Sequence, residues 1–483
     1  MSELAIIPAT ALLILLVWRL ALNELQWASR GRILPMGGRR RLAQSMLARR
    51  RRFPFFGWPF RDARALACAD LLTQTGQYEE AECLLRPLLG RHRDIRVVGA
   101  ARLMLARALD GQWRFDEADA ESDSGLQLLE NAGFPAGRLV LERAETYRRR
   151  GEESEALSVL RRALVRTDLS PAARDAISSQ YLYSCLQLRL YGSALDFGRG
   201  LSEGSLTGPA GWSLAYAMVL AYARAGDLEK ARSVASRLRE PVLQAAAEAH
   251  ILSAEGAHEQ SVLAARMGLA LTESPVHSQL RIAVVMALMR LQRLEEARSL
   301  AESAVSPSSA RGTADVRLEN AVWLITTARV CVMQEDWVAA GGYLEQAATV
   351  PRLGEYLRAA VRAYHAGVLG RLGRIDDARV EYDDAQEVVA RLAVDKINGG
   401  EGDLLLGMAS LMMGEAPRAE QLLSQALAKG LERTLVPAAF YHLGLAFEAQ
   451  GRAGSAEDAF RSAVSVGFPD CYTTMAERRL ERP

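Results

Sequence analysis

The sequence predicts an all-α protein, built as a solenoid of helical hairpins. Its composition is rich in alanine and leucine, and no stretch shows the Val/Ile/Thr alternation that is typical of strands. In the stretch 440–463, apolar residues recur at spacings of three and four on two successive helices, with Gly451 between them. These positions are Phe440, Leu443, Gly444 and Phe447 on the first helix, and Ala456, Phe460 and Ala463 on the second.

The same pattern recurs along most of the chain. Aligned on one small residue of the second helix, it gives eleven copies with a mean spacing of 37.5 residues. The aligned residues are Ala81, Ala118, Ala156, Ala194, Ala231, Ser261, Ala297, Ala340, Ala378, Ala419 and Ala456. In seven copies a glycine stands five residues earlier, where it ends the first helix cheaply because it accepts the left-handed conformation. These glycines are Gly76, Gly151, Gly226, Gly256, Gly373, Gly414 and Gly451.

This arrangement resembles the tetratricopeptide repeat (TPR), whose two helices carry large and small residues in the same order. The resemblance covers about residues 65–469. It implies a right-handed superhelical solenoid in which each hairpin buries its apolar face against its neighbours. It also implies a concave groove, lined by the first helices, that binds protein partners. A bulky replacement at Ala366 or Gly444 is expected to overpack an interface.

Four arginines mark the candidate partner-binding site. In the TPR family the first helix of each hairpin lines the groove. In this sequence, one position late in that first helix holds arginine in alternate copies. The residues are Arg149, Arg224, Arg290 and Arg371. Such a row is suited to acidic side chains or a terminal carboxylate, through charge-assisted hydrogen bonds. The alternative is that each arginine only complements the dipole at the end of its helix.

The sequence offers no site for catalysis, metal or cofactor. The six histidines have no metal-ligand spacing, and no phosphate-binding Gly-x-x-x-x-Gly-Lys loop is present. Ser202 lies in a Gly-x-Ser-x-Gly pattern, but it follows a helix, whereas that chemistry needs a strand-to-helix turn. Residues 65–483 carry a net charge of −8, which argues against nucleic acid as a partner. We therefore expect a protein that is not an enzyme.

The amino-terminal residues 1–29 are predicted to hold a transmembrane anchor. The stretch 4–22 has Arg19 as its only charge and, as a helix, is about as long as a bilayer core is thick. Trp18 and Arg19 lie near its end, where they are expected to contact headgroups. A cleaved signal peptide fits less well, because Glu3 precedes the apolar run and no small-x-small site follows it.

Residues 30–64 are predicted to form a basic and aromatic juxtamembrane segment. Arginine runs on this side of the anchor place it in the cytoplasm by the positive-inside bias. The residues expected to contact the membrane are Arg49, Arg50, Arg51, Arg52, Phe55, Phe56 and Trp58. Aromatic rings would settle at headgroup level and the arginines would contact anionic lipid. The alternative is that the rings cap the first hairpin, and both roles are compatible.

The sequence therefore predicts a bacterial single-pass protein of the inner (cytoplasmic) membrane, with the solenoid at 65–469 in the cytoplasm and a capping helix within 470–483. The predicted function is a non-catalytic scaffold that recruits protein partners for assembly or regulation of an envelope-associated complex. The layout resembles the bacterial lipopolysaccharide assembly regulator, but the chain lacks that family's cysteine-rich metal module. Two alternatives stay open: a periplasm-facing assembly or secretion factor, and a regulatory protein that senses a peptide or small ligand.

Overall fold

The protein is described by a computed structural model that covers residues 36–52, 61–91, 94–200, 208–271, 277–305, 314–394 and 400–481. These residues form 24 helices and no strand. The helices are α1 Met36–Arg52, α2 Arg61–Gln74, α3 Tyr78–Arg91, α4 Ile95–Gly111, α5 Phe115–Asn131, α6 Ala136–Arg150, α7 Glu153–Leu164, α8 Pro171–Gln187, α9 Tyr191–Arg199, α10 Gly208–Ala225, α11 Leu228–Ala235, α12 Pro241–Glu255, α13 His258–Leu271, α14 His277–Arg290, α15 Leu294–Ala304, α16 Ala314–Met333, α17 Trp337–Ala348, α18 Glu355–Arg371, α19 Ile375–Val394, α20 Glu401–Met412, α21 Ala416–Lys429, α22 Val436–Ala449, α23 Ala453–Ser465 and α24 Cys471–Leu480.

Helices α2 to α23 follow one another as eleven helix–turn–helix segments, as the sequence predicts. All eleven aligned small residues are buried, and none exposes more than 2% of its surface. Ser261, which stands in for alanine in the sixth segment, donates a hydrogen bond from its hydroxyl to the carbonyl of Ala249, 2.8 Å away. The substitution is tolerated because this buried hydroxyl has its own acceptor.

Every one of the eleven turns contains a residue in the left-handed conformation, five positions before the aligned small residue. In seven turns it is the predicted glycine, with φ between 74° and 88°. In the other four it is a residue with a side chain, and φ lies between 57° and 66°. These four residues are Trp113, Arg189, Gln292 and Glu335. The turn geometry is therefore common to all copies, and four copies adopt it against the preference of their residue.

The chain divides into two compact units. Of the described residues, the N-terminal unit comprises those from Met36 to Arg149 and 314–316, and the C-terminal unit comprises those of 150–305 and 317–481. In the N-terminal unit, one apolar cluster runs from α1 to α5. Ala43 and Met46 of α1 are buried in it beside Ala65 and Cys68 of α2. Helix α1 is thus an integral part of this core, which the sequence interpretation did not foresee.

The C-terminal unit has several apolar clusters along its length, as expected when each segment buries its neighbour. Near its end, the aromatic residues Tyr441 and Phe460 pack with Ala463 and with Ala476 of α24. Helix α24 begins at the side chain of Asp470, which accepts a hydrogen bond from the amide of Thr473 at 2.9 Å. This helix covers the last hairpin.

The predicted location as a single-pass inner-membrane protein is wrong. Among the helices of the described ranges, none is both long enough and apolar enough to cross a bilayer. The longest, α16 and α19, have 20 residues each but carry several charged side chains, which a bilayer core disfavours.

The stretch 4–22, on which the location rested, lies outside the described residues. So do Trp18, Arg19, Phe55, Phe56 and Trp58. Arg49 to Arg52 lie in the last turn of α1. The lipid contacts expected of these residues stay a prediction.

The left-handed turns predict opposite effects for two exchanges. Glu335 is exposed and its side chain has no hydrogen bond or ion pair within the described residues, so Glu335→Gly should relieve backbone strain. We expect it to raise the free energy of unfolding by about 0.5–1 kcal/mol. Gly373→Ala places a Cβ in open space, but at a residue with left-handed backbone. This substitution should lower the free energy of unfolding by about 1 kcal/mol. Urea denaturation followed by circular dichroism measures both. Equal changes in the free energy of unfolding for Glu335→Gly and Gly373→Ala would contradict the turn geometry.

The last hairpin predicts that overpacking depends on position. A Cβ at Gly444 would overlap the ring of Phe460, whereas a Cβ at Gly454 would meet nothing within 4 Å. Gly444→Ala should therefore lower the free energy of unfolding by about 1–3 kcal/mol. Gly454→Ala, the matched control in the same hairpin, should leave it unchanged or raise it slightly. Equal free energies of unfolding for Gly444→Ala and Gly454→Ala would contradict the close contact between Gly444 and Phe460.

Candidate partner-binding site

The C-terminal unit is closed by polar contacts between residues about 200 positions apart. The hydroxyl of Ser154 donates to a carboxylate oxygen of Glu355 at 2.5 Å, across 201 residues. Arg224 Nη1 lies 3.1 Å from Glu432 Oε1, across 208 residues. The Nε2 atom of His258 lies 2.6 Å from the carbonyl oxygen of Pro469, across 211 residues. Within the C-terminal unit, these contacts place α7, α10 and α13 against the start of α18 and the connections that precede α22 and α24.

The first of these contacts is a reciprocal cap of two helix N-termini. The carboxylate of Glu355, at the start of α18, accepts from the amide of Ser154 at 3.1 Å in the first turn of α7. In return, the carboxylate of Glu153 accepts from the amide of Glu355 at 3.1 Å. Each carboxylate satisfies an amide that its partner helix leaves unpaired, and each lies at the positive end of that helix.

Inside this closed arrangement lies a set of charged and aromatic residues that we call the arginine–tyrosine cluster. It consists of Arg189, Arg224, Arg290, Arg329, Tyr191, Tyr356, Tyr364 and Tyr472, with Glu401, Glu432, Phe468 and Asp470 beside them. Consecutive guanidinium groups are close enough to interact unfavourably, in the order Arg329, Arg189, Arg224 and Arg290. All four arginines are half-buried.

In the part of the chain that the structure describes, only one of the four arginines has a carboxylate in direct contact. Arg224 pairs with Glu432, whose side chain is only 2% exposed, and this carboxylate raises the pKa of Arg224. Within the described residues, no carboxylate lies within 4.0 Å of the guanidinium of any of the other three. Those three are Arg189, Arg290 and Arg329. The cluster thus holds more positive charge than its own direct ion pairs neutralise.

Each arginine without a carboxylate stacks instead on an aromatic ring. The Cζ atom of Arg189 lies 5.4 Å from the ring centre of Tyr356. Arg290 lies 5.4 Å from the ring centre of Phe468, and Arg329 lies 5.9 Å from that of Tyr364. Stacking of this kind holds a guanidinium in place while leaving its edge, where the N–H groups are, open to a further acceptor.

Hydrogen bonds within the protein satisfy part of the cluster. Arg189 Nη1 donates to the hydroxyl of Tyr191 at 2.7 Å, and the hydroxyl of Tyr356 donates to Glu401 at 3.0 Å. Arg290 Nη1 donates to the carbonyl and the hydroxyl oxygen of Ser253, at 3.1 and 3.0 Å. Burial raises the pKa of Glu401, and burial together with the charge of Arg224 lowers that of Arg290.

Two neighbouring histidines add no charge at neutral pH. Burial lowers the pKa of His250 to about 3, with a smaller contribution from the positive charge of Arg224. Burial lowers the pKa of His442 to about 4, and its ring packs against that of Tyr472 with centres 5.4 Å apart. Among the described residues, no group of three or more His, Cys, Asp or Glu side chains is arranged to hold a metal ion.

The structure brings together two of the four arginines that the sequence singles out. Arg224 and Arg290 both belong to the cluster, where the charge of Arg224 helps to lower the pKa of Arg290 after the larger effect of burial. Arg371 is exposed and stacks on Trp337, with 5.6 Å between its Cζ atom and the ring centre. Arg149 is buried in the N-terminal unit, where it donates to the hydroxyl of Ser122 at 2.9 Å. Partner binding by these four residues stays a prediction.

Sequence reasoning missed Arg189, Arg329 and the tyrosines. The sequence could have indicated some of them, because residues three or four positions apart lie on the same face of a helix. Arg290 lies seven positions before its aligned residue, while Arg329 lies eleven before Ala340 and Tyr364 fourteen before Ala378. These positions share a face. Arg189 gives no such signal, because it belongs to a turn and reaches the cluster only through the left-handed backbone at φ 61°.

No family model matches the sequence, and no curated protein matches it. The chain is similar to solved structures of TPR-type helical repeat proteins. In the crystal structure of the APC/C hetero-tetramer Cut9–Hcn1, the similar chain has 14% identity and a TM-score of 0.52, with 94% of this chain and 83% of that chain covered.

Two further similar structures have lower TM-scores. One is the human IFIT1 dimer with PPP-AAAA, with 15% identity, a TM-score of 0.41, and 83% of this chain and 90% of that chain covered. The other is a Rap protein complexed with competence and sporulation factor, with 12% identity, a TM-score of 0.43, and 86% and 99% covered. The likeness to the Cut9–Hcn1 structure shows the fold: the chain is a TPR-like helical repeat protein.

Proposed function

We propose that the chain is a non-catalytic adaptor that binds an acidic segment of a partner protein at the arginine–tyrosine cluster. One observation carries the proposal: three half-buried arginines of the cluster have no carboxylate in contact among the described residues. The TPR-like fold supports it, because proteins of this fold are typically non-catalytic scaffolds, and Cut9 was crystallised with another protein, Hcn1.

The chemistry of the cluster favours carboxylates in an extended segment. A guanidinium offers a planar fork of N–H donors that matches a carboxylate, and such charge-assisted bonds are about twice as strong as neutral ones. The tyrosine rings add apolar contact at a low entropy cost, as is typical of binding surfaces. A segment with several Glu or Asp residues would therefore satisfy donors that the protein leaves open.

An internal contact already displays the expected type of recognition. Glu432 extends from the loop between α21 and α22 and pairs with Arg224 at 3.1 Å, while the hydroxyl of Thr434 donates to the same carboxylate oxygen at 2.5 Å. A partner carboxylate at Arg189, Arg290 or Arg329 would repeat this pairing.

The proposal predicts a selective loss of binding. A fluorescein-labelled hexaglutamate peptide should bind the full chain, as measured by fluorescence polarisation, and a hexalysine peptide should not. The triple variant Arg189→Gln/Arg290→Gln/Arg329→Gln removes the open guanidinium groups and should weaken binding by at least tenfold, since each charge-assisted bond contributes about 1.5–3 kcal/mol.

Arg371→Gln is the matched control for that experiment. Arg371 also stacks on an aromatic ring but belongs to none of the interactions of the cluster, so its replacement should leave the affinity unchanged. Circular dichroism checks that each variant stays folded. Equal affinities of the triple variant and the wild-type chain for the hexaglutamate peptide would refute the site. If Arg371→Gln lowered this affinity as much as the triple variant does, the binding would be non-specific charge attraction.

A further inference from the structure

One arginine of the cluster is occupied by a carboxylate of the same chain. Arg224 Nη1, in the last turn of α10, lies 3.1 Å from Oε1 of Glu432, in the connection between α21 and α22. The hydroxyl of Thr434 donates to the same oxygen at 2.5 Å. The internal carboxylate is therefore held from two sides, in the position that a partner's carboxylate would take at Arg224.

The contact uses only part of the guanidinium. This group carries five N–H bonds, and Arg224 donates one hydrogen bond among the described residues, through Nη1. Its side chain keeps 35% of its surface accessible. Both hydrogen bonds to Glu432 converge on Oε1, and within the described residues its other oxygen accepts none. The pair is thus held at a single point, whereas a planar fork can bind a carboxylate through two parallel bonds.

The backbone around Glu432 is anchored without the help of its side chain. The carbonyl of Gly430 accepts from the amide of Gly400 at 3.0 Å, and the carbonyl of Glu432 accepts from the amide of Leu435 at 2.8 Å. The side chains of Leu431 and Leu435 pack against the apolar cluster of α20 to α23. Rotation of the Glu432 side chain therefore releases the guanidinium while the connection keeps its own contacts.

We propose that Glu432 is an internal competitor, which occupies Arg224 and lowers the affinity of the cluster for acidic segments. The inference rests on the proposed function, because it concerns regulation of the same site. A partner carboxylate displaces Glu432 by binding the fork through two N–H groups instead of one. The Glu432 side chain is only 2% exposed while it is paired, so its release opposes binding.

The competitor makes the site selective for segments with several acidic residues. A segment that presents one carboxylate gains a single ion pair at Arg224 and loses the one that Glu432 already makes there. A segment that also contacts Arg189, Arg290 or Arg329 gains further charge-assisted bonds, and these outweigh the release of Glu432. The partner is therefore expected to carry a run of Glu or Asp residues.

A purely structural role of the same contact predicts an effect of opposite sign. Arg224 and Glu432 join parts of the chain that are 208 residues apart. If the contact served only to hold the cluster in shape, breaking it would weaken peptide binding. A competitor predicts that breaking it strengthens peptide binding.

The experiment is fluorescence polarisation of the labelled hexaglutamate peptide with the full chain and two Glu432 variants. Glu432→Gln removes the charge. Glu432→Asp keeps the charge but shortens the side chain by one methylene group, so the carboxylate no longer reaches Arg224. Both variants should bind at least about fivefold more tightly than the wild type, because the charge-assisted contact no longer competes. Tighter binding by Glu432→Gln alone would assign the effect to net charge and overturn the competitor.

Two controls separate the contact from a general effect of charge. In an Arg224→Gln background, adding Glu432→Gln should give no gain in affinity, because the guanidinium for which the two carboxylates compete is gone. Glu420→Gln breaks a different ion pair of the C-terminal unit, with Arg452 Nη1 at 2.8 Å, and should leave the affinity unchanged. A gain that persists in the Arg224→Gln background would overturn the competitor.

Thr434→Val keeps the test valid if the Glu432 variants lose helix content by circular dichroism. This substitution keeps the shape of the side chain and removes only the hydroxyl that holds the Glu432 carboxylate. It should raise the affinity for hexaglutamate severalfold, and an unchanged or lower affinity would contradict the competitor.

The outcomes also separate this inference from the adaptor function. If the wild type binds hexaglutamate and folded Glu432 variants bind it equally or more weakly, the competitor is overturned and the adaptor function stands. If only the Glu432 variants bind, both are supported, and the internal carboxylate blocks the site fully. If neither the wild type nor any variant binds, the adaptor function fails and the competitor fails with it.

Discussion

The contact between Arg224 and Glu432 joins parts of the chain that are 208 residues apart, and the inner surface of the C-terminal unit depends on such contacts. A stack of hairpins is held together by neighbour contacts, which set the local register but leave the curvature free to vary. Polar contacts across about 200 residues add a second constraint, because they bring α7, α10 and α13 against α18 and the connections that precede α22 and α24. The arginines, tyrosines and glutamates of the cluster meet only because of this closure.

The energetics of that contact explain why the closure is specific. The side chain of Glu432 is 2% exposed, and a buried carboxylate without a partner is strongly destabilising. Arg224 and the hydroxyl of Thr434 together satisfy it. An alternative curvature would leave this carboxylate either unpaired or in water. Among the described residues, Arg189, Arg290 and Arg329 have no carboxylate in contact, and the proposed binding of an acidic segment rests on these three side chains.

The repeat architecture was predictable from the sequence because its determinants are local. The small residue on each second helix and the glycine five positions earlier act within one hairpin, so periodicity alone identifies all eleven copies. Four copies have a residue other than glycine in the turn, and the aligned alanine alone identifies them. Their turn residues are Trp113, Arg189, Gln292 and Glu335. The hydrophobic face of α1 was masked by its arginines, so its two core residues, Ala43 and Met46, gave too little periodicity.

The candidate site was predictable only in part. Two of its arginines, Arg224 and Arg290, lie at a helix position that the repeat pattern marks. Their partners Glu432 and Phe468 lie in connections between helices, and the pairing depends on the curvature of the whole unit. Arg371 occupies the same position in its repeat as Arg290, yet it contacts Trp337 instead. Position within a repeat therefore indicates a face of the solenoid, whereas the contacts made there are a property of the assembled unit.

The most direct test of this account is a double-mutant cycle between Arg224 and Glu432 in the full chain. The free energies of unfolding of the wild type, Arg224→Gln, Glu432→Gln and the double variant give the interaction between the two side chains. Closure across 208 residues predicts a coupling energy of about 1–3 kcal/mol, with Arg224→Gln alone less stable than the double variant. Effects that add within about 0.5 kcal/mol would show that the two side chains do not meet, and would contradict the inner surface on which the proposed function rests.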